Sequence, residues 1–194
     1  MSNFSLWLWV VSPLLFFWMV GAYNRLVRLR ARVRQAFAAL DEQAMRQLVW
    51  VQGCLPESMR GNLQTSPVDL QDAWTIVWAR LCSASEQFAA ALAHARPAVA
   101  DAPTMAGVAL AHEALRNALA VALAEAVAPD AVPSAERLRA RWMRLLHQAA
   151  PVQEAFNETA QAYNDAIAQF PASIIARVVR FRPAGMLTRP AKTR

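Results

Sequence analysis

The chain has 194 residues, 56% of them hydrophobic, with five glycines and a formal net charge of +6. That length holds one domain plus an anchor and excludes two ordinary domains with an anchor. Cys54 and Cys82 have neither CxxC spacing nor clustered histidines around them, so they are expected as buried thiols of a reducing compartment rather than a disulfide or metal site.

Residues 4–23 contain no charged side chain. Twenty helical residues at about 1.5 Å each span roughly 30 Å, the thickness of bilayer hydrocarbon. Trp7 and Trp9 stand near one end and Trp18 and Tyr23 near the other, as interfacial aromatics do. A transmembrane segment over residues 1–24 is therefore expected, with Pro13 tolerated inside it. Val20-Gly21-Ala22 has the small residues of a cleavage site. No Lys or Arg precedes the apolar block, however, so an uncleaved signal anchor is the better expectation than a signal peptide. Arg25, Arg28, Arg30, Arg32 and Arg34 follow it. By the positive-inside rule the N-terminus lies outside and the rest of the chain in the cytoplasm.

The first helix is expected to continue beyond the anchor. Leu29, Val33, Phe37, Leu40, Ala44, Leu48, Val51 and Leu55 fall on one helical face, before Gly53, Pro56 and Gly61 end it. Ser66 as cap with Pro67 in the first turn starts a second helix, with stripe Leu70, Trp74, Val77, Leu81, Phe88 and Leu92. Pro97 and Pro103 bracket a short loop. A third helix follows over about residues 104–128, with a weaker stripe of Val108, Leu115, Leu119 and Leu123. Pro129 and Pro133 frame the next turn. The fourth helix opens at Ser134 and carries the cleanest stripe: Leu138, Trp142, Leu145, Ala149, Val152, Phe156, Tyr163, Ile167 and Phe170. Pro151 inside it removes one backbone hydrogen bond and should kink it. Pro171 ends it, residues 172–182 read as a short amphipathic helix, and residues 183–194 as a basic flexible tail. The fold class is all-α: an N-terminal transmembrane helix followed by an antiparallel bundle of four long helices over residues 25–182.

Two blocks of this pattern resemble the LemA family of bacterial membrane-anchored helical proteins. The first is Tyr23-Asn24-Arg25-Leu26-Val27 with Arg30, Val33, Ala36-Phe37, Leu40-Asp41, Gln43 and Arg46. The second is Phe156-Asn157, Tyr163-Asn164, Ile167, Phe170-Pro171, Ile174-Ile175-Ala176 and Phe181. They cover roughly the first and last quarters of the domain. Gln47-Leu48-Val49-Trp50-Val51 stands where the family carries a proline-containing segment. Arg180 precedes Phe181 where the family commonly has glycine, and Pro151 falls where its last helix runs on. The chain is thus similar to a divergent member. The resemblance implies an anchored antiparallel bundle and no particular chemistry.

Charge is segregated along the chain. Residues 1–34 hold five arginines and no acid, and residues 177–194 hold six basic residues and no acid. Residues 35–176 hold nine basic residues against fourteen acidic ones, a net of −5. An even number of antiparallel passes returns the end of the fourth helix to the anchor. Arg177, Arg180 and Arg182 would then join the first arginine cluster at the inner membrane face, among anionic lipids. The alternative is that Ile174, Ile175 and Val178 cap the open end of the bundle core. Topogenic and lipid-facing roles account for the arginines better than nucleic acid does, and no nucleic-acid partner is expected.

No catalytic or nucleotide-binding motif is present, and no cofactor is expected. His94, His112 and His147 fall on three different helices, off the apolar faces, and read as solvent-exposed. Asp41 reads as a polar-face carboxylate. Asn157 and Asn164, beside Phe156 and Tyr163, are expected to hydrogen-bond between helices or to a loop backbone, with a recognition site as the alternative. The function expected is a non-enzymatic scaffold or adaptor of the bacterial cytoplasmic membrane. The alternative is an accessory subunit of a membrane enzyme such as a protease. The partner in either case is an undefined membrane protein, and exposed tryptophans would serve a homo-oligomer.

Overall fold

The computed structural model describes residues 2–55, 73–99, 101–125 and 135–187; the side chains of residues 2–11, 15, 73, 74, 125 and 135 lie outside the description. Five helices follow in order: α1 (Ser2–Cys54), α2 (Ala73–Ala95), α3 (Ala102–Glu125), α4 (Ala135–Ala168) and α5 (Ala172–Val178). Among the described residues there is no strand.

α1 packs chiefly on α4, and α2 on α3. The first pair is antiparallel. Phe37 meets Phe156 edge to face at 6.1 Å, and thirteen residues on, Trp50 stacks on Trp142, fourteen residues back, at 5.7 Å. The predicted stripes are the core: Val33, Phe37, Leu40, Ala44, Leu48 and Val51 of α1 bury against Trp142, Phe156 and Tyr163 of α4 and the inner faces of α2 and α3. Arg96, just after α2, grips both Asp41 oxygens at 3.1 and 3.3 Å and ties the α2–α3 turn to α1. Residues 56–72 and 126–134, which include the expected helix starts at Ser66, Pro67 and Ser134, lie outside the described residues.

Several details differ from the sequence expectation. α3 begins at Ala102, so Pro103 sits in its first turn, where its missing N–H leaves no bond unmade. Thr104 Oγ1 donates to Asp101 Oδ2 at 2.8 Å just ahead of it. α4 is unbroken through Pro151, which is exposed. The amphipathic segment is helical only over Ala172–Val178, because Arg180 turns left-handed at φ 58°. Trp78 and Trp142 are buried and Trp50 is half-buried, so these tryptophans build the core rather than an oligomer surface. Trp18 is exposed, whereas Trp7, Trp9 and Trp74 lie outside the described side chains.

His112 is a further correction. His94 and His147 are exposed, but His112 turns inward. Its Nε2 lies 3.0 Å from Oε1 of the buried Gln47, and its ring packs on Phe88 at 5.1 Å. With the amide oxygen facing the ring, Nε2 carries the proton of a neutral imidazole. Burial, and then the Arg116 charge, pull its pKa down to about 4. Cys82 is a buried thiol pushed above its ordinary pKa by burial and by Glu86, the setting of an unreactive cysteine. Cys54 is half-buried.

The His112 shift sets the pH dependence of stability. The unfolded imidazole takes up a proton below about pH 6.5 and the folded one does not until about pH 4. Stability is therefore full above the first value and falls as pH drops toward the second. Between pH 7 and pH 5 the loss is about 2 kcal/mol. Denaturant unfolding of the full chain in neutral detergent at the two pH values checks it. His112→Gln should flatten that part of the profile.

Candidate functional site

The site lies where α1 meets the returning end of α4. Before residue 21, every described side chain of α1 is exposed, including Leu14, Phe16, Phe17, Trp18, Met19 and Val20. Among the described residues no helix is long and apolar enough to cross a membrane; residues 1–11 and 15 of the charge-free stretch contribute no described side chain. From Ala22 onward α1 acquires partners. Leu26 is fully buried with Ala166, Ile175 and Ala176 in a small core of its own, closed by Leu29, Ile167 and Phe181.

The α4–α5 corner supplies the other wall. Phe170 precedes a cis peptide bond to Pro171, and its ring lies 6.3 Å from Trp18. α5 is only seven residues long but divides its apolar side chains between two directions. Ile175 turns in and is buried, so it does close the end of the bundle. Phe170, Ile174 and Val178, spaced four apart, are 77%, 56% and 77% exposed. Ile174 and Val178 share the outward side of α5, and Phe170, in the turn before it, lies against Trp18 of the exposed part of α1. Tyr23 meets Phe181 at 6.3 Å and links the two segments on the other side.

Most arginines of these two segments are exposed. Arg25, Arg28, Arg32, Arg34, Arg177, Arg180 and Arg182 are exposed, and Asn24 is exposed among them. Arg28 donates from Nε to the Asn24 carbonyl at 3.4 Å. Arg30 is the exception. It is half-buried, with its guanidinium 5.5 Å from the centre of the Phe181 ring. Asp41 stands apart, in the Arg96 pair.

The two asparagines do what the sequence suggested, against an unforeseen partner. Residues 183–187, expected to begin the flexible tail, run back along α4. Ala184, Gly185 and Leu187 are buried. Asn157 accepts from the Leu187 N–H at 2.8 Å and donates to the Leu187 carbonyl at 2.9 Å. Asn164 does the same with Ala184, at 2.7 and 2.9 Å. The spacing explains the fit. Seven helical residues rise about 10.5 Å, and three extended residues span about 10 Å, so the two asparagines meet residues three apart on an extended segment running antiparallel to α4. Tyr163 Oη donates to the Arg182 carbonyl at 3.1 Å. Burial raises the Tyr163 pKa, against the pull of Arg30. Gly185 lies so close to α3 that a Cβ would stand 2.7 Å from Ala102 Cα and 2.8 Å from Met105 Cβ. Gly185 and the docked segment were missed because the pull of the basic residues beyond them is toward a solvated tail. The signal available was the asparagine spacing of seven. Residues 188–194, with Arg189, Lys192 and Arg194, lie outside the described residues.

No group of three His, Cys, Asp or Glu side chains is placed to hold a metal ion among the described residues. Compared with known proteins, the chain matches no family model, no curated protein and no solved structure.

The asparagine clamp gives a direct test. Asn157→Ala leaves the Leu187 N–H and C=O without partners and should cost about 1–3 kcal/mol. Gly185→Ala, which must push two helix-borne carbons aside, should cost a similar amount, about 1–3 kcal/mol. Both should raise amide hydrogen exchange at residues 184 and 187 far more than in the α1–α4 core.

Proposed function

We propose that the chain is a membrane-anchored, non-enzymatic helical scaffold or adaptor of the bacterial cytoplasmic membrane, a divergent member of the LemA family. Residues 4–23 form its anchor, the N-terminus lies outside, and the bundle stands on the cytoplasmic face. The observation that carries this reading is the exposure of Phe170, Ile174 and Val178 at the corner where Phe170 meets Trp18 of the exposed Leu14–Val20 part of α1, with exposed arginines in both segments. An apolar surface of that kind in a chain with a charge-free twenty-residue stretch needs a cover, and a bilayer supplies one to both parts at once. The exposed arginines would meet anionic headgroups, each contributing about 1 kcal/mol. Trp18 and Tyr23 stand near the end of the charge-free stretch, the level that interfacial aromatics favour.

Topology reporters fused to the two termini of the full chain test the anchor. The expected result is a C-terminal reporter active only in the cytoplasm and a chain that resists alkaline extraction from membranes. Release by alkali, or a C-terminal reporter active outside, overturns the reading. Crosslinking in the membrane then identifies the partner, and a membrane enzyme recovered stoichiometrically would make the chain its accessory subunit rather than a scaffold.

A further inference from the structure

Arg30, Arg34, Arg180 and Arg182 line a cavity of about 380 Å³ together with Asp101 and Tyr163. Four arginines and one carboxylate residue thus share the lining. That carboxylate is already engaged: Thr104 holds one Asp101 oxygen at 2.8 Å, and Arg182 approaches the other at 3.8 Å. Among the described residues no carboxylate pairs with Arg30, Arg34 or Arg180. Of the four, Arg30 is half-buried and Arg34, Arg180 and Arg182 are exposed.

Two details single the cavity out from a solvated basic surface. Arg30 Nε is buried and has no hydrogen-bond partner, while its guanidinium is held in place over Phe181. A fixed, desolvated donor with nothing to donate to is unusual in a finished core. The second is the backbone of Arg180. After α5, the Phe181 N–H bonds to the Ala176 carbonyl at 2.8 Å and the Arg180 N–H to the Arg177 carbonyl at 3.3 Å. This is the helix ending in which the left-handed residue is ordinarily glycine. Here it is Arg180, at φ 58°. A Cβ in that conformation is a steric liability, and Arg180 makes no ion pair within the described fold in return.

We infer that this cavity is a binding site for a phosphate group, held by Arg30, Arg34, Arg180 and Arg182. Guanidinium forks match the paired oxygens of a phosphate group, in a free phosphate or in a phosphodiester headgroup. The volume exceeds a single phosphate and leaves room for the group that carries it. Arg30 lies seven residues past Tyr23, about 10 Å along the helix, a depth at which a lipid headgroup could reach it. A soluble phosphate compound would enter the same cavity from water. The site stands on the arginine geometry alone and does not require the chain to be anchored.

The test uses the full chain in neutral detergent and follows its Tm. One arm titrates inorganic phosphate against chloride at matched ionic strength. The other titrates dihexanoyl phosphatidylglycerol against dihexanoyl phosphatidylcholine. Saturable stabilisation by inorganic phosphate identifies a soluble ligand, and saturation by phosphatidylglycerol alone identifies a headgroup. In either case Arg180→Gly should weaken binding at least tenfold, while the free protein melts about 2–4 °C higher because glycine relieves the left-handed turn. Arg30→Gln should weaken binding similarly. The inference is overturned if neither arm saturates, if chloride or phosphatidylcholine reproduces the effect, or if Arg180→Gly binds as the parent does.

Discussion

The antiparallel seam between α1 and α4 is the constraint on which the other features depend. Phe37 against Phe156 and Trp50 against Trp142 fix the register of two long helices. Gln43, buried at the same seam, donates to the Leu145 carbonyl at 3.5 Å. Once that register is set, the end of α4 must arrive beside residues 18–29 of α1. The α4–α5 corner, the outward side of α5 and the arginine cavity are all consequences of that arrival. The α2–α3 hairpin completes the core on the other side, and its turn brings Asp101 to the same end.

The α4 surface outside the seam is used as well. Asn157 and Asn164 read only the backbone of residues 184 and 187, so their hold is indifferent to the side chains there. The side-chain requirement falls instead on Gly185, where α3 allows no Cβ. Two unrelated constraints, one polar and one steric, thus fasten the same five residues. They also set the position of Arg182 and, through Tyr163, one wall of the cavity.

Much of the helical framework was legible in the sequence because it rests on periodicity. The α1 stripe is buried from Val33 to Leu55, whereas on α4 Trp142, Ala149, Phe156 and Tyr163 are buried, Leu138, Leu145, Val152 and Ile167 are half-buried, and Phe170, read as the end of the stripe, is exposed because the helix stops at Ala168 before reaching it. What escaped was decided by single contacts that leave no period. His112 lies four residues after Val108 and three before Leu115, on the α3 stripe, and its polarity hid that position; a neutral imidazole and an amide can satisfy each other against a core. Local preference would start α3 after Pro103, but a proline in a first turn is compatible with helix. The left-handed turn at Arg180 is invisible because the residue there contradicts the glycine that would announce it. The fate of residues 183–187 depended on partners twenty and thirty residues away. Pattern reading could say that Asn157 and Asn164 would find backbone to bond, and not which backbone.

α1 is a single helix of 53 residues, about 80 Å long. From residue 22 to residue 52 it contains neither proline nor glycine. Gly21 stands at the boundary and Pro13 within the apolar part, yet the exposed apolar part and the part that organises the core are one continuous helical rod. Such a rod acts as a lever. A few degrees of tilt in the apolar part swing the far end of the bundle through several ångströms, and lift or lower the α5 corner on one side. Orientation of the bundle and seating of the corner are mechanically coupled. Anything that changes the inclination of the first twenty residues is transmitted to the whole domain.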